Sequence, residues 1–347
     1  MKVLFVCGNT LNPYVSTLVE SLNKLDIFVD SSNVKFWTNF EDYDIYHFQW
    51  PEAVFDWRAN ISDDEVDALR NRLTSLKLRG RKIIVTCHNF KPHVITNKRV
   101  VLLYDLIYSF CDAFVHLGGY SRNILSEEYK NGIHVVVPHH IYDSIYKFSE
   151  NQQRCKERLN LDVNKINILS FGEFRTDEER ELIINLKDKL DSNVFSFIVP
   201  GFFKKRWISR SFRESFKRIK KILHYKSQGF KFTIGNLSDK ETEEYFTACD
   251  IVLIQRKDIL NSGNLPMGFY AGKVVVGANK GNVGQLLRVT GNPVFDPNNV
   301  ESVVDSIYEA VDLMKKGKGM DNKLLAEENW AEDVVANRLL ILYNSLF

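Results

Sequence analysis

The sequence lacks any apolar run long enough to span a bilayer, and its first residues, MKVLFVCGN, look like a strand and a turn rather than a secretory leader. It also lacks a strong excess of either charge. Against 46 Lys and Arg stand 44 Asp and Glu, a balance that does not by itself indicate nucleic-acid binding. These absences predict a cytoplasmic protein that at most attaches to the inner face of a membrane.

Cysteine is sparse and carries no metal-type spacing. The five cysteines are odd in number and scattered, at Cys7, Cys87, Cys111, Cys155 and Cys249. They predict free, buried thiols in a reducing compartment. No pair of carboxylates stands at an obvious metal spacing either, so we expect neither a bound metal nor a cofactor.

Two nucleotide-binding signatures are absent. The chain contains no G-x-x-x-x-G-K-[ST] loop, and the Gly8-Asn9 turn after the first apolar run lacks the further glycines of a G-x-G-x-x-G turn. These absences disfavour kinase-like and dehydrogenase-like functions.

Short apolar runs alternate with amphipathic helical stretches along the whole chain, a pattern typical of parallel sheets covered by helices. The first series of predicted strands is Lys2–Val6, Asp44–Phe48, Lys82–Thr86, Ala113–His116 and His134–Val137. The second is Ile166–Phe171, Phe195–Val199, Phe230–Ile234, Ile251–Ile254 and Lys273–Val276. Helices are predicted between them, among them Tyr14–Leu25, Asp63–Leu76 and Glu179–Leu190. The pattern therefore predicts an α/β protein of two doubly wound domains, 1–150 and 151–329, that face a central cleft.

Polar residues follow several predicted strands, where open α/β sheets bind ligands. They are His47, Gln49, His88, Asn89, Gly172 and Arg175. Either they serve structural roles, or they line a shared site. A turn of small residues, Asn261–Asn264, precedes a helix whose first turn holds Pro266 and which ends before Gly272. This turn is either an anion site or an ordinary βαβ connection.

Six segments in the same order resemble GT-B glycosyltransferases, in particular the bacterial polysaccharide-assembly enzymes that include β-mannosyltransferases. These segments are NPY at 12–14, IYHFQWP at 45–51, TCHNFKPH at 86–93, VPHHIY at 137–142, FGEFR at 171–175 and DILNSG at 258–263. The resemblance implies the GT-B fold, two Rossmann-like domains around a cleft, with the final helix, 330–347, crossing back to the N-terminal domain.

The resemblance also implies roles for individual residues. The C-terminal domain of such enzymes holds the nucleotide sugar, which assigns donor binding to Gly172, Arg175, Asn261, Ser262, Gly263 and Asn264. His88 becomes the candidate catalytic residue, which would hydrogen-bond the donor sugar or take the acceptor proton, unless it merely caps a strand. The acceptor side would hold Asn9, Asn12, Tyr14, Asn89 and His93, the first three of which equally suit a helix cap and first turn.

The chain departs from the family pattern at several positions. Glu178 stands where many relatives carry a phosphate-binding Lys, and Asn261 and Phe269 stand where other relatives carry two glutamates. Substitute charge could come from Lys204, Lys205 and Arg206. These departures leave the donor undecided between GDP-mannose and a UDP-sugar.

The resemblance predicts a metal-independent hexosyltransferase of surface polysaccharide biosynthesis, which acts on a glycan or lipid-linked glycan. Two alternatives remain: a sugar-nucleotide epimerase of the same fold, and a silent partner subunit that binds glycan or another transferase. The segment 202–226 is basic, with apolar residues on one helical face. It is either a domain helix with its apolar face in the core or a contact for an anionic membrane. Nucleic acid is not expected, since no recognised binding motif accompanies it.

Overall fold

The computed structural model describes residues 1–8, 13–38, 43–91, 98–203, 212–227, 229–233 and 237–347, and of 212–218 it describes the backbone alone. The chain divides into two compact units. The first unit comprises Met1–Tyr142 together with Asn329–Phe347, and the second comprises Asp143–Glu328. The limits predicted from the sequence fall after residues 150 and 329.

The first unit is built on a parallel sheet. Its strands are β1 Lys2–Val6, β2 Phe28–Ser31, β3 Ile45–Phe48, β4 Lys82–Cys87, β5 Ala113–His116 and β6 Ile133–Val136. The sheet has the order β2-β1-β3-β4-β5-β6 over the described residues, and all its neighbouring strands pair in parallel. β1, β3, β4 and β5 are almost entirely buried, because helices cover both faces of the sheet.

The helices of the first unit follow the strands in alternation. They are α1 Pro13–Asn23, α2 Asn33–Thr38, a 3₁₀ helix Pro51–Phe55, α3 Asp63–Leu78, α4 Lys98–Phe110 and α5 Gly119–Glu128, with α14 Glu332–Asn344 returning at the end of the chain. Ser62 starts α3 with a reciprocal capping box, in which Ser62 and Glu65 each accept from the other's backbone N–H. α14 packs against α1, so both ends of the described chain contribute to this unit.

The second unit is also built on a parallel sheet, with fewer and shorter strands. These are β7 Ile166–Leu169, β8 Phe195–Ile198, β9 Ile251–Leu253, β10 Val274–Ala278 and β11 Val294–Phe295, in the order β11-β10-β9-β7-β8. Its helices are α6 Gln152–Arg158, α7 Asp177–Lys189, α8 Phe212–Ser227, α9 Asp239–Ala248, α10 Asn264–Tyr270, α11 Gly281–Val289 and α12 Val300–Lys315. The remaining helix, α13 Lys318–Trp330, leads back to the first unit.

The two sheets share one topological feature that positions ligands. In each unit the first strand lies between the second and the third, so the direction of winding reverses next to it. Such a switch point leaves a crevice outside the carboxyl ends of the two strands concerned, which is where open α/β sheets bind their ligands. The crevices lie after β1 and β3 in the first unit, and after β7 and β9 in the second.

The predicted α/β class with two Rossmann-like units is confirmed, but individual elements differ. The predicted strand Phe230–Ile234 is wrong over its described part: Lys231 alone forms a bridge, with Ile198, while Phe230 is buried in the core. β2 and β11 were not predicted, because both are short and carry little alternating pattern. The predicted helix end at Gly272 is confirmed by its φ of +70° and by its N–H donating to Phe269 O at 2.8 Å.

The described helices include none that is both long and apolar enough to cross a membrane.

Candidate functional site

The crevice of the second unit begins at the turn after β7. Gly172 has a φ of +93°, and the loop after β8 approaches it so closely that a Cβ on Gly201 would lie 1.9 Å from the Gly172 carbonyl oxygen. Phe174, fully buried, anchors the turn through its N–H, which donates to Gly201 O at 3.2 Å. A glycine at both positions is therefore required by conformation and by space.

The small-residue turn before α10 is held against its neighbours by its own side chains. Asn264 donates from Nδ2 to Phe171 O at 2.7 Å, and Ser262 Oγ accepts from Asn264 N at 3.3 Å. Asn261 Oδ1 accepts from Asn282 Nδ2 at 2.8 Å. α10 has only seven residues, and Gly263 before it gives no side-chain cap. The structure thus brings Asn261, Ser262 and Asn264 to the ends of β7, β9 and β10, where they fix the loops.

Two arginines lie near each other at this switch point. Arg175 is exposed after β7, and its backbone N–H donates to the Glu179 carboxylate at 2.8 Å. Arg256 follows β9 and is half-buried. Burial, with the positive charge of Arg175 adding to it, lowers the pKa of Arg256 to about 10, although the charges of Glu179 and Glu173 act in the opposite direction. The crevice therefore holds two guanidinium groups at the ends of β7 and β9, with the carboxylates of Glu173 and Glu179 close by.

Sequence reasoning missed Arg256. No hydrogen bond or ion pair of its guanidinium is found within the described part of the chain. The sequence did contain a signal, since Arg256 stands three residues past the end of β9, while His88 directly follows β4 and Arg175 stands six residues past β7. A planar guanidinium with five donors suits the oxygens of a phosphate or carboxylate.

Glu178, at the place of the family's lysine, has a local structural role. It lies exposed in the first turn of α7 beside Asp177 and Glu179, and Thr176 caps this helix. Acidic side chains at this end of a helix interact favourably with its dipole. The predicted substitute charges, Lys204, Lys205 and Arg206, lie outside the described residues.

The crevice of the first unit holds His88, directly after β4. Its ring stacks on Trp50, with centroids 4.2 Å apart and an angle of 18°, and meets Tyr14 edge-on at 5.0 Å. His88 Nε2 lies 3.2 Å from Gln49 Oε1. With the amide oxygen as acceptor, Nε2 carries the proton and Nδ1 carries the lone pair. The ring is thus held in place by Trp50, Tyr14 and Gln49, and its tautomer follows the orientation of the Gln49 amide.

Gln49 itself is fully buried, and its Nε2 finds no hydrogen-bond partner among the described residues. Turning the amide over would exchange the two ends, so one polar atom stays unpaired in either orientation. Leaving a buried donor unpaired costs about 1–3 kcal/mol. Such a group beside His88 is suited to binding a ligand.

Tyr14 contacts His88, but its side chain is buried in a cluster of rings. It stacks on His140 at 4.8 Å and lies 4.7 Å from His139, and burial raises the pKa of its hydroxyl. His140 Nδ1 accepts from Tyr142 N–H at 3.3 Å, and its Nε2 lies 3.1 Å from Tyr14 O. Tyr14 therefore helps to hold the His88 ring in place through its edge-on contact.

The structure says less about the other residues predicted for the acceptor side. Asn89 is half-buried, and its carbonyl accepts from the Tyr108 hydroxyl at 3.2 Å. Asn9, Asn12 and His93 lie outside the described residues.

His47 belongs to the sheet and not to the site. It is fully buried, with Nδ1 at 2.7 Å from the Tyr343 hydroxyl and Nε2 at 2.8 Å from Thr86 Oγ1. Its partners come from α14 and β4, so His47 connects three elements of the first unit.

Neither metal chemistry nor disulfides are indicated where the structure describes the chain. Within those residues no group of three or more His, Cys, Asp or Glu could hold a metal ion. The cysteines are free, and all but Cys111 are buried.

Comparisons with known proteins give a likeness in structure alone, since no family model and no curated protein sequence matches the chain. Sucrose-phosphate synthase from Thermosynechococcus elongatus has a TM-score of 0.73 at 12% identity, over 100% of this chain and 98% of that chain. HepE from Anabaena in complex with UDP has a TM-score of 0.73 at 14% identity, over 99% and 100%. A glycosyltransferase from Rickettsia africae has a TM-score of 0.68 at 15% identity, over 99% and 98%. The protein has the GT-B fold.

Proposed function

We propose that the protein is a glycosyltransferase, which transfers a hexose from a nucleoside diphosphate sugar to a hydroxyl of a glycan or lipid-linked glycan. The observation that carries the proposal is the pair Arg175 and Arg256 at the β7/β9 switch point of a GT-B fold. The leaving nucleoside diphosphate gains negative charge as the sugar bond breaks. Preorganised donors aimed at such charge are usually the largest catalytic contribution.

His88 is the proposed catalytic residue. Its ring is held rigidly by Trp50 and Gln49, and the lone pair on Nδ1 suits it to accept a proton or a sugar hydroxyl. Removal of the acceptor proton is the step that an inverting transfer requires. In a retaining transfer the same nitrogen would instead hydrogen-bond the donor sugar.

We propose that the two arginines, rather than a metal ion, neutralise the diphosphate. Arg256 would replace the cation that Glu178 displaces from the family position. The resemblance in sequence favours GDP-mannose as donor, whereas HepE, of the same fold, has been solved in complex with UDP-glucose and so favours a UDP-sugar. Both donors carry a diphosphate, so both require positive charge to neutralise it.

The proposed setting is surface polysaccharide assembly at the cytoplasmic face of a membrane. Support comes from the described half of α8, where Ile219 and Leu223 are 47% and 61% exposed beside the exposed Lys220 and Lys221. Apolar side chains within a basic surface suit the headgroup region of an anionic bilayer.

A thermal-shift screen against UDP, GDP, CDP, dTDP and ADP, with EDTA or with Mg²⁺, tests the proposal. Binding of one nucleotide raises the melting temperature by mass action, and we expect the same shift in EDTA. Arg175→Ala and Arg256→Ala should each weaken that binding by roughly 1.5–3 kcal/mol, the loss of a charge-assisted contact. Arg288→Ala, an exposed arginine at the end of α11, is the matched control and should bind as wild type.

Three outcomes would contradict parts of the proposal. No shift with any nucleotide would favour the silent-partner alternative. An isomerised donor sugar without any acceptor would favour the epimerase. Loss of binding in EDTA would contradict the metal-free mechanism only.

A further inference from the structure

An exposed indole lies close to the candidate catalytic histidine. Trp57 follows the 3₁₀ helix after β3 and is 49% exposed, although Trp50 beside it is buried. The Trp57 and Trp50 rings have centroids 5.7 Å apart at an angle of 50°, and Trp50 stacks on His88. One buried ring therefore separates an open aromatic surface from His88, at the β1/β3 switch point.

The loop that carries Trp57 is fixed in a costly conformation. Asp56 and Trp57 are consecutive non-glycine residues with φ of +54° and +59°. Their N–H groups donate to Ala53 O and Glu52 O, both at 3.1 Å, and the Asp56 carboxylate accepts from Asn33 Nδ2. Left-handed residues of this kind are concentrated where a loop clamps a ligand. The conformation holds the indole in place before any ligand arrives.

Polar groups near this aromatic surface indicate what kind of ligand it takes. Gln49 Nε2 is buried without a partner among the described residues, while Gln49 Oε1 faces His88. A ligand that completes the site must bring a hydrogen-bonding group to the Gln49 amide and an apolar face to Trp57. A pyranose ring has both, because its C–H groups form an apolar face and its hydroxyls lie at the rim. The acyl chain of a lipid has no hydrogen-bonding group to offer the Gln49 amide.

We infer that Trp57, Gln49 and His88 form a subsite for a pyranose ring of the acceptor, with the sugar's C–H face on the indole and a hydroxyl on the Gln49 amide. The inference rests on the proposed transferase function and gives the class of acceptor at this point: a glycan with at least one ring to stack. The subsite preorganises the acceptor hydroxyl beside His88.

Saturation-transfer difference NMR on the full-length protein tests the subsite. The probes are the methyl α- and β-glycosides of glucose, galactose and mannose, with cellobiose and maltose. We expect at least one probe to bind, with the saturation strongest on one face of its ring. Trp57→Ala should raise its Kd by at least about tenfold, and Trp57→Phe by less, since a ring remains. Gln49→Leu should also weaken binding.

Phe28→Ala is the matched control, since Phe28 is 53% exposed and starts β2 at the amino edge of the same sheet. It should bind the probe as wild type. The inference is overturned if no probe binds, if Trp57→Ala binds as wild type, or if anionic vesicles and no sugar perturb Trp57 fluorescence. Nucleotide binding through Arg175 is measured separately, so failure of the subsite is distinguishable from failure of the transferase proposal.

Discussion

At the scale of single residues, the structure separates a histidine at the rim of the candidate site from a histidine sealed in the core. His88 is half-buried, its ring contacts Trp50, Tyr14 and Gln49, and it lies at a strand end. His47, also near a strand end, is sealed between Tyr343 and Thr86. The sequence presented both as polar residues after apolar runs, and only their surroundings distinguish them.

His88→Ala should lower kcat more than it raises the KM for the donor, because a general base acts in the transition state and not in donor binding. The expected loss is about 10²–10⁴-fold in kcat. Steady-state kinetics with a labelled donor would measure it. His88→Gln keeps a hydrogen-bonding group at this position. Its affinity for the acceptor should therefore be close to that of the wild type, while its kcat stays as low as that of His88→Ala.

The control for this experiment is His224→Ala, an exposed histidine of α8. It should leave both constants unchanged. Equal losses in kcat and in donor affinity for His88→Ala would reduce His88 to a binding residue.

At the scale of elements, the hydrophobic pattern predicted which segments are regular better than what each one packs against. In α8, Ile219 and Leu223 fit an apolar face, but they are exposed, while Ile222 is buried. At 230–233, buried Phe230 and half-buried Phe232 gave a strand-like alternation, but their rings pack on Phe202 and Phe203. An alternating apolar pattern indicates which side chains are buried, but a buried side chain need not belong to a paired strand.

The exposed part of α8 should bind anionic vesicles at low salt. Lys220→Gln with Lys221→Gln should weaken binding by about 2 kcal/mol, roughly thirtyfold, because each lysine near such a surface contributes about 1 kcal/mol. Vesicle co-sedimentation with phosphatidylserine, repeated at high salt, would measure the effect.

Lys315→Gln with Lys316→Gln, two exposed lysines at the end of α12, is the control with equal charge change. It should bind like wild type. Failure of the unmodified protein to sediment with vesicles at low salt would end the membrane proposal without further variants.

At the scale of the whole molecule, the two units differ in their response to acid. Among the histidines that the structure describes, all but His224 lie in the first unit. Burial lowers the pKa of His47 and of His140 to about 3 and that of His139 to about 4. It also lowers the pKa of His116 to about 3, where the charges of His134 and Arg122 contribute as well. Below pH 6.5 the unfolded chain binds protons at these positions, while the folded first unit binds them only near pH 3 to 4.

The free energy of unfolding of the first unit should therefore fall as pH drops from 6.5 toward 3, and should not depend on these groups above pH 6.5. At pH 5.5 each of the four histidines costs roughly 1.4 kcal/mol, about 6 kcal/mol together. Urea unfolding followed by tryptophan fluorescence at pH 7.5 and 5.5 measures this, since all tryptophans but Trp207 lie in the first unit.

His47→Gln should make the pH dependence shallower by about a quarter, and His224→Gln should leave it unchanged. Identical unfolding midpoints at the two pH values would contradict the assignment of neutral, buried histidines.

Sequence alone determined the class of this protein and the strand-end positions of its candidate site. Alternating apolar runs and amphipathic helices are local features, and they were sufficient for two parallel α/β units. His88 and Arg175 could be selected because polar residues after buried strands meet at one edge of a sheet.

Tertiary structure decided which of these residues act together. Arg256 lies near Arg175 because β9 pairs with β7, a neighbour in space and not in sequence. The unpaired amide of Gln49, and the open indole of Trp57 beside the ring that stacks on His88, depend on how β3 and β4 and the loops after them pack. Strand order and side-chain burial arise from contacts between distant segments, which no local pattern encodes.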